Sequence, residues 1–269
     1  MKKIFLFAFC LAVFCLAADL DEIRQKGEIK IGVRTNLFPF AKLTSNGEFE
    51  GFEVELAKKI GYELLENRGK VKLVGVNAKQ RIEFLQNGSV DIIIASFAQD
   101  PEREKVVDFS IPYFSMSDAI LTHKNKQVSS LNSVFGEKIL AVPGTTSYTY
   151  LTQMGRFQII DCKNSKDCFT RLKAGEADYY AQMIQMVGVY PLVDKDYVVS
   201  LRKIGEDHYL SVGLPKNTPK LKEAVNKTII KLSKEGFFQK AYSEIFEPFY
   251  RGTLDKKYFL VDSIYDMFF

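Results

Sequence analysis

The chain has 269 residues and a formal charge of +4, with 37 lysines and arginines against 33 acidic residues. Hydrophobic residues make up 46% and charged residues 26%, a balance that excludes a disordered chain. Two of the lysines are Lys2 and Lys3. Without them 35 basic residues face 33 acidic ones, too even a balance for a nucleic-acid-binding surface.

The first segment, 1–18, reads as a secretory signal: Lys2-Lys3, an apolar core at 4–16, then Ala17-Ala18 ahead of Asp19. The core is shorter than the ~18 residues of a spanning helix. Cys10 and Cys15 follow Phe9 and Phe14 rather than small residues, which argues against lipidation. A secreted chain then retains Cys162 and Cys168. An oxidising compartment favours a bridge between them; the alternative is two buried thiols. The C-x5-C spacing is not a zinc pattern, and neither His123 nor His208 sits in a metal-ligating cluster, so no metal is expected.

A short helix at 20–26 leads into a strand at 29–33. Asn36 to Phe40 forms a rigid turn carrying two rings, Phe38 and Phe40. Asn46-Gly47 marks a hairpin between 41–44 and 48–52. Apolar residues at Phe52, Leu56, Ile60 and Leu64 predict an amphipathic helix. A strand follows at 71–76 and a helix at 79–86, ended by Asn87-Gly88.

Residues 90–95, VDIIIA, are β-branched and apolar on both faces, as in a buried parallel strand. The strand ends in Ser96 and Ala98, so its carboxyl end can face a cleft. Asp100-Pro101-Glu102-Arg103 then reads as an N-cap, a first-turn proline, an acid and a guanidinium. Such a guanidinium suits a ligand carboxylate, to which it offers a planar fork of donors. The alternative is a surface ion pair with Glu102 or Asp108.

The pattern breaks at 112–117 and resumes with a strand at 119–122. Strands at 139–142, 157–161 and 178–181 alternate with helices from 147, at 166–174 and at 184–192. A strand at 210–214 precedes helices at 219–234 and 237–246. The alternation predicts an α/β fold with a mostly parallel sheet. Pro143-Gly144-Thr145-Thr146-Ser147 joins a strand to a helix, and a helix start can bind an anion; the alternative is an ordinary turn with a threonine cap. Arg81 opens a helix just after a strand. It can serve as a second positive group or lie on a solvated face.

Several of these segments carry a family resemblance. VDIIIASF at 90–97, followed by PER, DFS and PY, resembles the signature of the periplasmic solute-binding proteins that supply polar amino acids to ABC importers. GEIKIGV at 27–33, FPF at 38–40, GFEVELAKKI at 51–60, VNAKQRIEFLQNGSVD at 76–91 and PGTTS at 143–147 recur in the family's order. The resemblance implies a two-lobed periplasmic-binding-protein fold of type II, hinged on two crossing strands at 119–122 and 210–214. Residues 19–114 with 213–246 would form the first lobe and 115–212 the second, leaving 247–269 as an aromatic tail.

The resemblance also implies a site. Arg103 and the Gly144-Thr145-Thr146 stretch would grip a ligand α-carboxylate, and Phe38 or Phe40 would cover the ligand. Arg81, read from its position alone, would suit an acidic side chain or another carboxylate. Ser96 and Ala98 would line the cleft, Ala98 standing where the family has a hydroxyl. Met183 stands where the family places the aspartate that holds the α-ammonium; Asp178, Tyr180 or Gln182 would have to substitute. The implied function is a monomeric periplasmic receptor, without cofactor or catalysis, that captures a small carboxylate and passes it to an ABC permease. A polar amino acid is the leading ligand and a carboxylate lacking the amine the second. The alternatives are a dehydratase acting on a cyclic carboxylate and a surface antigen or adhesin with a vestigial cleft.

Overall fold

The computed structural model describes residues 19–251. The segment 1–18, expected to be a signal, and most of the aromatic tail lie outside the described residues, and only 247–251 of that tail are seen.

Eight strands form one mixed ladder. The first half is parallel: β1 (Glu28–Arg34) lies between β5 (Lys70–Val76) and β6 (Ile92–Ile93). Three short strands, β2 (Asn36–Leu37), β3 (Ala41–Leu43) and β4 (Phe49–Glu50), make a separate small sheet beside it. The second half runs β10 (Tyr179–Met183), β8 (Lys138–Ala141) and β9 (Gln158–Asp161), again parallel among themselves. Ile29, Ile31 and Val33, which share one face of β1, are fully buried.

Two long antiparallel strands join the halves, β7 (Asp108–His123) and β11 (Tyr197–Leu214). β11 pairs with β6 at one end, and β7 with β10 at the other. The molecule therefore has two α/β lobes connected by two crossings. The crossings are longer than the sequence suggests: the apparent break at 112–117 is continuous strand. Pro112 is accommodated where the register slips between Leu210 and Ser211, a bulge that needs no donor from proline. These strands also carry the ladder through both lobes, so the lobes do not have separate sheets.

The helix expected at 184–192 is two single-turn pieces, Ile184–Val187 and Tyr190–Val193. The one expected at 237–246 loosens after Ala241 into a π turn at Tyr242–Phe246. That turn seats Phe246 against Phe40, Phe52 and Phe114, with ring centroids 5.2 to 5.5 Å apart. The last helices thereby pack onto the first lobe.

Cys162 and Cys168 form a disulfide from the end of β9 to the first turn of helix Ser165–Lys173. Both cysteines are buried. A chain beginning at Asp19 and prepared without reductant is expected to titrate no free thiol. Closing so short a loop contributes about 2 kcal/mol, so reduction should lower the urea midpoint by that equivalent. Two titrating thiols in the unreduced protein would refute this.

Candidate functional site

β6 ends at the interface between the lobes, and the chain turns sharply there. Ser96 has φ +49°, a left-handed conformation that non-glycine residues seldom adopt. Glu53, in helix Phe52–Leu64, holds that turn. Its Oε1 accepts from the Ser96 amide at 2.7 Å, from the Ser96 hydroxyl at 3.0 Å and from the Tyr113 hydroxyl at 2.6 Å. Glu53 is wholly buried, and burial raises its carboxyl above the ordinary range, partly offset by these donors.

The turn aims two guanidiniums into the cleft. Asp100 caps helix Pro101–Glu104, accepting from the amides of Glu102 and Arg103 at 3.0 Å each. Arg103 is buried, 8% exposed, and is not a surface arginine. Its Nε lies 2.7 Å from Asp100 Oδ2, its Nη1 donates to Ala98 O at 2.7 Å, and its Nη2 to Gly144 O at 3.1 Å. Glu102 and Asp108 pair elsewhere, with Lys105 and Lys216.

Arg81 enters from helix Gln80–Gln86 and is 3% exposed. Nε donates to Ala78 O at 3.0 Å, Nη1 to Ser96 O at 2.6 Å and Nη2 to Gly144 O at 2.7 Å. Both guanidiniums lie over Phe97, at 4.6 Å for Arg81 and 5.3 Å for Arg103. Burial pulls Arg81 well below its ordinary value, and the neighbouring charges of Arg103 and Arg34 add to that. Arg103 is lowered by burial, against the pull of Asp100 and Asp118.

The second lobe meets them with the turn before helix Thr146–Met154. Gly144 has φ +83°, a left-handed conformation that favours glycine, and a Cβ there would stand in van der Waals contact with the Ala78 carbonyl of the first lobe. Its carbonyl is the shared acceptor of both arginines. Thr145 is the N-cap, and its hydroxyl donates to Val142 O at 2.7 Å. The Thr146 hydroxyl donates to Asp118 Oδ1 at 2.9 Å. Asp118, fully buried on β7, also stands 3.3 Å from His208 Nε2.

A pocket of about 410 Å³, mouth included, lies between the lobes. Arg81, Arg103, Ser96, Ala98, Thr145, Thr146 and Met183 all line it, with Ser165, Gln182, Met116 and Met186. Asp178 is away from it, paired with Lys126 at 3.2 Å. Tyr180 is buried and does not line it. Gln182 does, although its Oε1 already accepts from the Met183 amide at 3.0 Å.

The two rings of the FPF turn are not in the lining. Phe40 is fully buried among Phe52, Phe114 and Phe246 because it completes the aromatic core of the first lobe. Phe38 is 39% exposed and packs edge-on against Phe249 at 5.1 Å. Leu37 takes the pocket-facing position instead.

The charged residues of the site that were not read from the sequence are Arg34, Glu53 and Asp118. Arg34 had a signal, being the charged end of the apolar strand IKIGVR at a carboxyl edge, where open α/β sheets hold ligands. Glu53 had one too, an acid on the stripe continued by Ala57, Ile60 and Leu64. Asp118 sits in a strand whose neighbours alone do not separate it from a hinge-surface aspartate.

Residues 29–248 match the sequence pattern of the bacterial extracellular solute-binding proteins, family 3. The chain is 30% identical over 268 residues to the ABC transporter glutamine-binding protein of Bacillus subtilis, an alignment covering 91% of this chain and 97% of that one. Among solved structures it is similar to the solute receptor for L-cysteine of Neisseria gonorrhoeae, with a TM-score of 0.84 and 27% identity over 91% of this chain and 100% of that one. The cysteine-binding protein of Campylobacter jejuni also superposes with a TM-score of 0.84, at 29% identity over 90% of this chain and 98% of that one. With the family pattern spanning both lobes and both crossings, the chain belongs to the bacterial extracellular solute-binding proteins, family 3.

Proposed function

We propose that the protein is a periplasmic, monomeric receptor that captures a small carboxylate of the polar amino-acid class between its lobes and delivers it to an ABC permease. The observation that carries this reading is the buried Arg103 fork, which faces the helix-opening Gly144-Thr145-Thr146 turn across the cleft. A carboxylate placed there meets a guanidinium from one lobe and helix-start donors from the other. The relatives named for glutamine and cysteine binding support the amino-acid class. Two crossings allow the lobes to part and close on the ligand, the motion of hinged binding proteins.

We read the site as binding its ligand rather than converting it. Among the described residues, the lining includes no aspartate or glutamate to move a proton, and Met183 cannot do so. A thermal-shift screen against amino acids and small carboxylates tests the assignment. A true ligand at 100 times its dissociation constant should add about 2.7 kcal/mol of stability. A screen in which none of them raises the melting temperature would remove the assignment.

A further inference from the structure

We infer that Arg34 binds a second acidic group on the ligand, so that the pocket selects small anions with two acidic groups over neutral or cationic ones. The inference rests on the reading above, in which Arg103 takes the first carboxylate. The lining contains Arg34, Arg81 and Arg103 and, among the described residues, no aspartate or glutamate.

The three guanidiniums are not in equal states. Arg81 directs its nitrogens to the carbonyls of Ala78, Ser96 and Gly144. Each of its nitrogens thus meets a protein acceptor, and its charge remains. Arg103 is bonded in the same way, through Nε to Asp100 and through Nη1 and Nη2 to the carbonyls of Ala98 and Gly144, which leaves one N–H on each terminal nitrogen for the first carboxylate. Arg34, the last residue of β1, differs: its Nε is buried with no hydrogen-bond partner among the described residues. Native proteins seldom leave such a donor unmet, and one left unmet calls for an explanation. The carboxylate acting on it is Glu53, but that group is already committed to Ser96 and Tyr113. An acidic group on the ligand would supply the acceptor that Arg34 lacks.

The same geometry disfavours the other side chains. A cationic ligand would enter among three guanidiniums. A neutral amide could offer Arg34 its oxygen, but its NH2 would then face a wall of donors. An acidic amino acid and an amine-free dicarboxylate share the required chemistry. They differ at the α-ammonium, whose neighbours here are Gln182 and Met183.

Titration calorimetry of the purified protein with L-glutamate, L-aspartate, glutarate, succinate, L-glutamine and L-arginine tests the inference. One of the four dicarboxylates should bind about 30-fold or more tighter than glutamine, and arginine should bind more weakly still. Arg34→Met should shrink the gap between that dicarboxylate and glutamine to a few-fold, and Arg34→Lys should restore part of it. Glutamate or aspartate above glutarate and succinate identifies an acidic amino acid, and the reverse an amine-free dicarboxylate; either supports the inference. Glutamine or arginine binding as tightly as every one of the four overturns it, as does a preference that survives Arg34→Met. The wild-type ranking needs no variant and decides the matter should Arg34→Met not fold. Tight glutamine binding that Arg103→Ala abolishes defeats the inference alone and leaves the receptor assignment standing. Failure of all six to bind defeats the inference, and failure of the wider carboxylate screen defeats the assignment.

Discussion

Arg103→Ala should weaken ligand binding by roughly 30- to several-thousand-fold, the equivalent of about 2–5 kcal/mol for breaking a buried charge-assisted contact. The size follows from the setting. Arg103 is 8% exposed and lies over Phe97, so its ligand bond would form away from water. Alanine would also release Ala98 O and Gly144 O from their shared donor, loosening the contact between lobes. Two measurements separate these effects. Arg103→Lys keeps the charge but not the fork, and should recover only part of the affinity. Urea unfolding without ligand reports the purely structural loss, which should be smaller than the loss of binding. An affinity unchanged in Arg103→Ala would place the site elsewhere.

Much of this was legible because the family signature falls on the segments that build the cleft. The Asp100 cap and the first-turn Pro101 followed from local chemistry, and the helix after Pro143-Gly144 was placed to within one residue; the burial of Arg103 was not, since a surface ion pair fitted the same local sequence. What was not legible depended on distant partners. Pro112 reads as a break in any local window, and only pairing with a bulged β11 lets it lie inside a strand. Phe38 and Phe40 look alike in sequence; the packing of Phe246 and Phe249, more than 200 residues later, makes one a core ring and the other a surface one. Arg81 was read as either a ligand group or a solvated side chain. Its position is a third case, a buried cation that ties the carbonyls of both lobes together while lining the pocket.

The second large effect concerns the support of the site rather than its contacts. Glu53→Ala should destabilise the ligand-free protein by about 3 kcal/mol, because one residue's removal strands several buried groups at once. The Ser96 amide, the Ser96 hydroxyl and the Tyr113 hydroxyl would all lose their acceptor, and Arg34 its neighbouring carboxylate. The left-handed turn at Ser96 persists because its surroundings hold it, so this loss should also let the Ser96 carbonyl swing away from Arg81. Glu53→Gln keeps one acceptor oxygen and should cost less, about 1–2 kcal/mol. A pH series gives an independent reading. Burial raises the Glu53 carboxyl in the folded state, so the folded protein holds this proton where the unfolded chain has released it. Its contribution is therefore favourable at low pH and is lost as pH rises from the ordinary carboxylate range through the raised folded value. Wild-type stability should carry that downward slope, and Glu53→Gln should lack it. Equal slopes in the two proteins, or a Glu53→Ala variant as stable as wild type, would show that Glu53 does not hold the Ser96 turn.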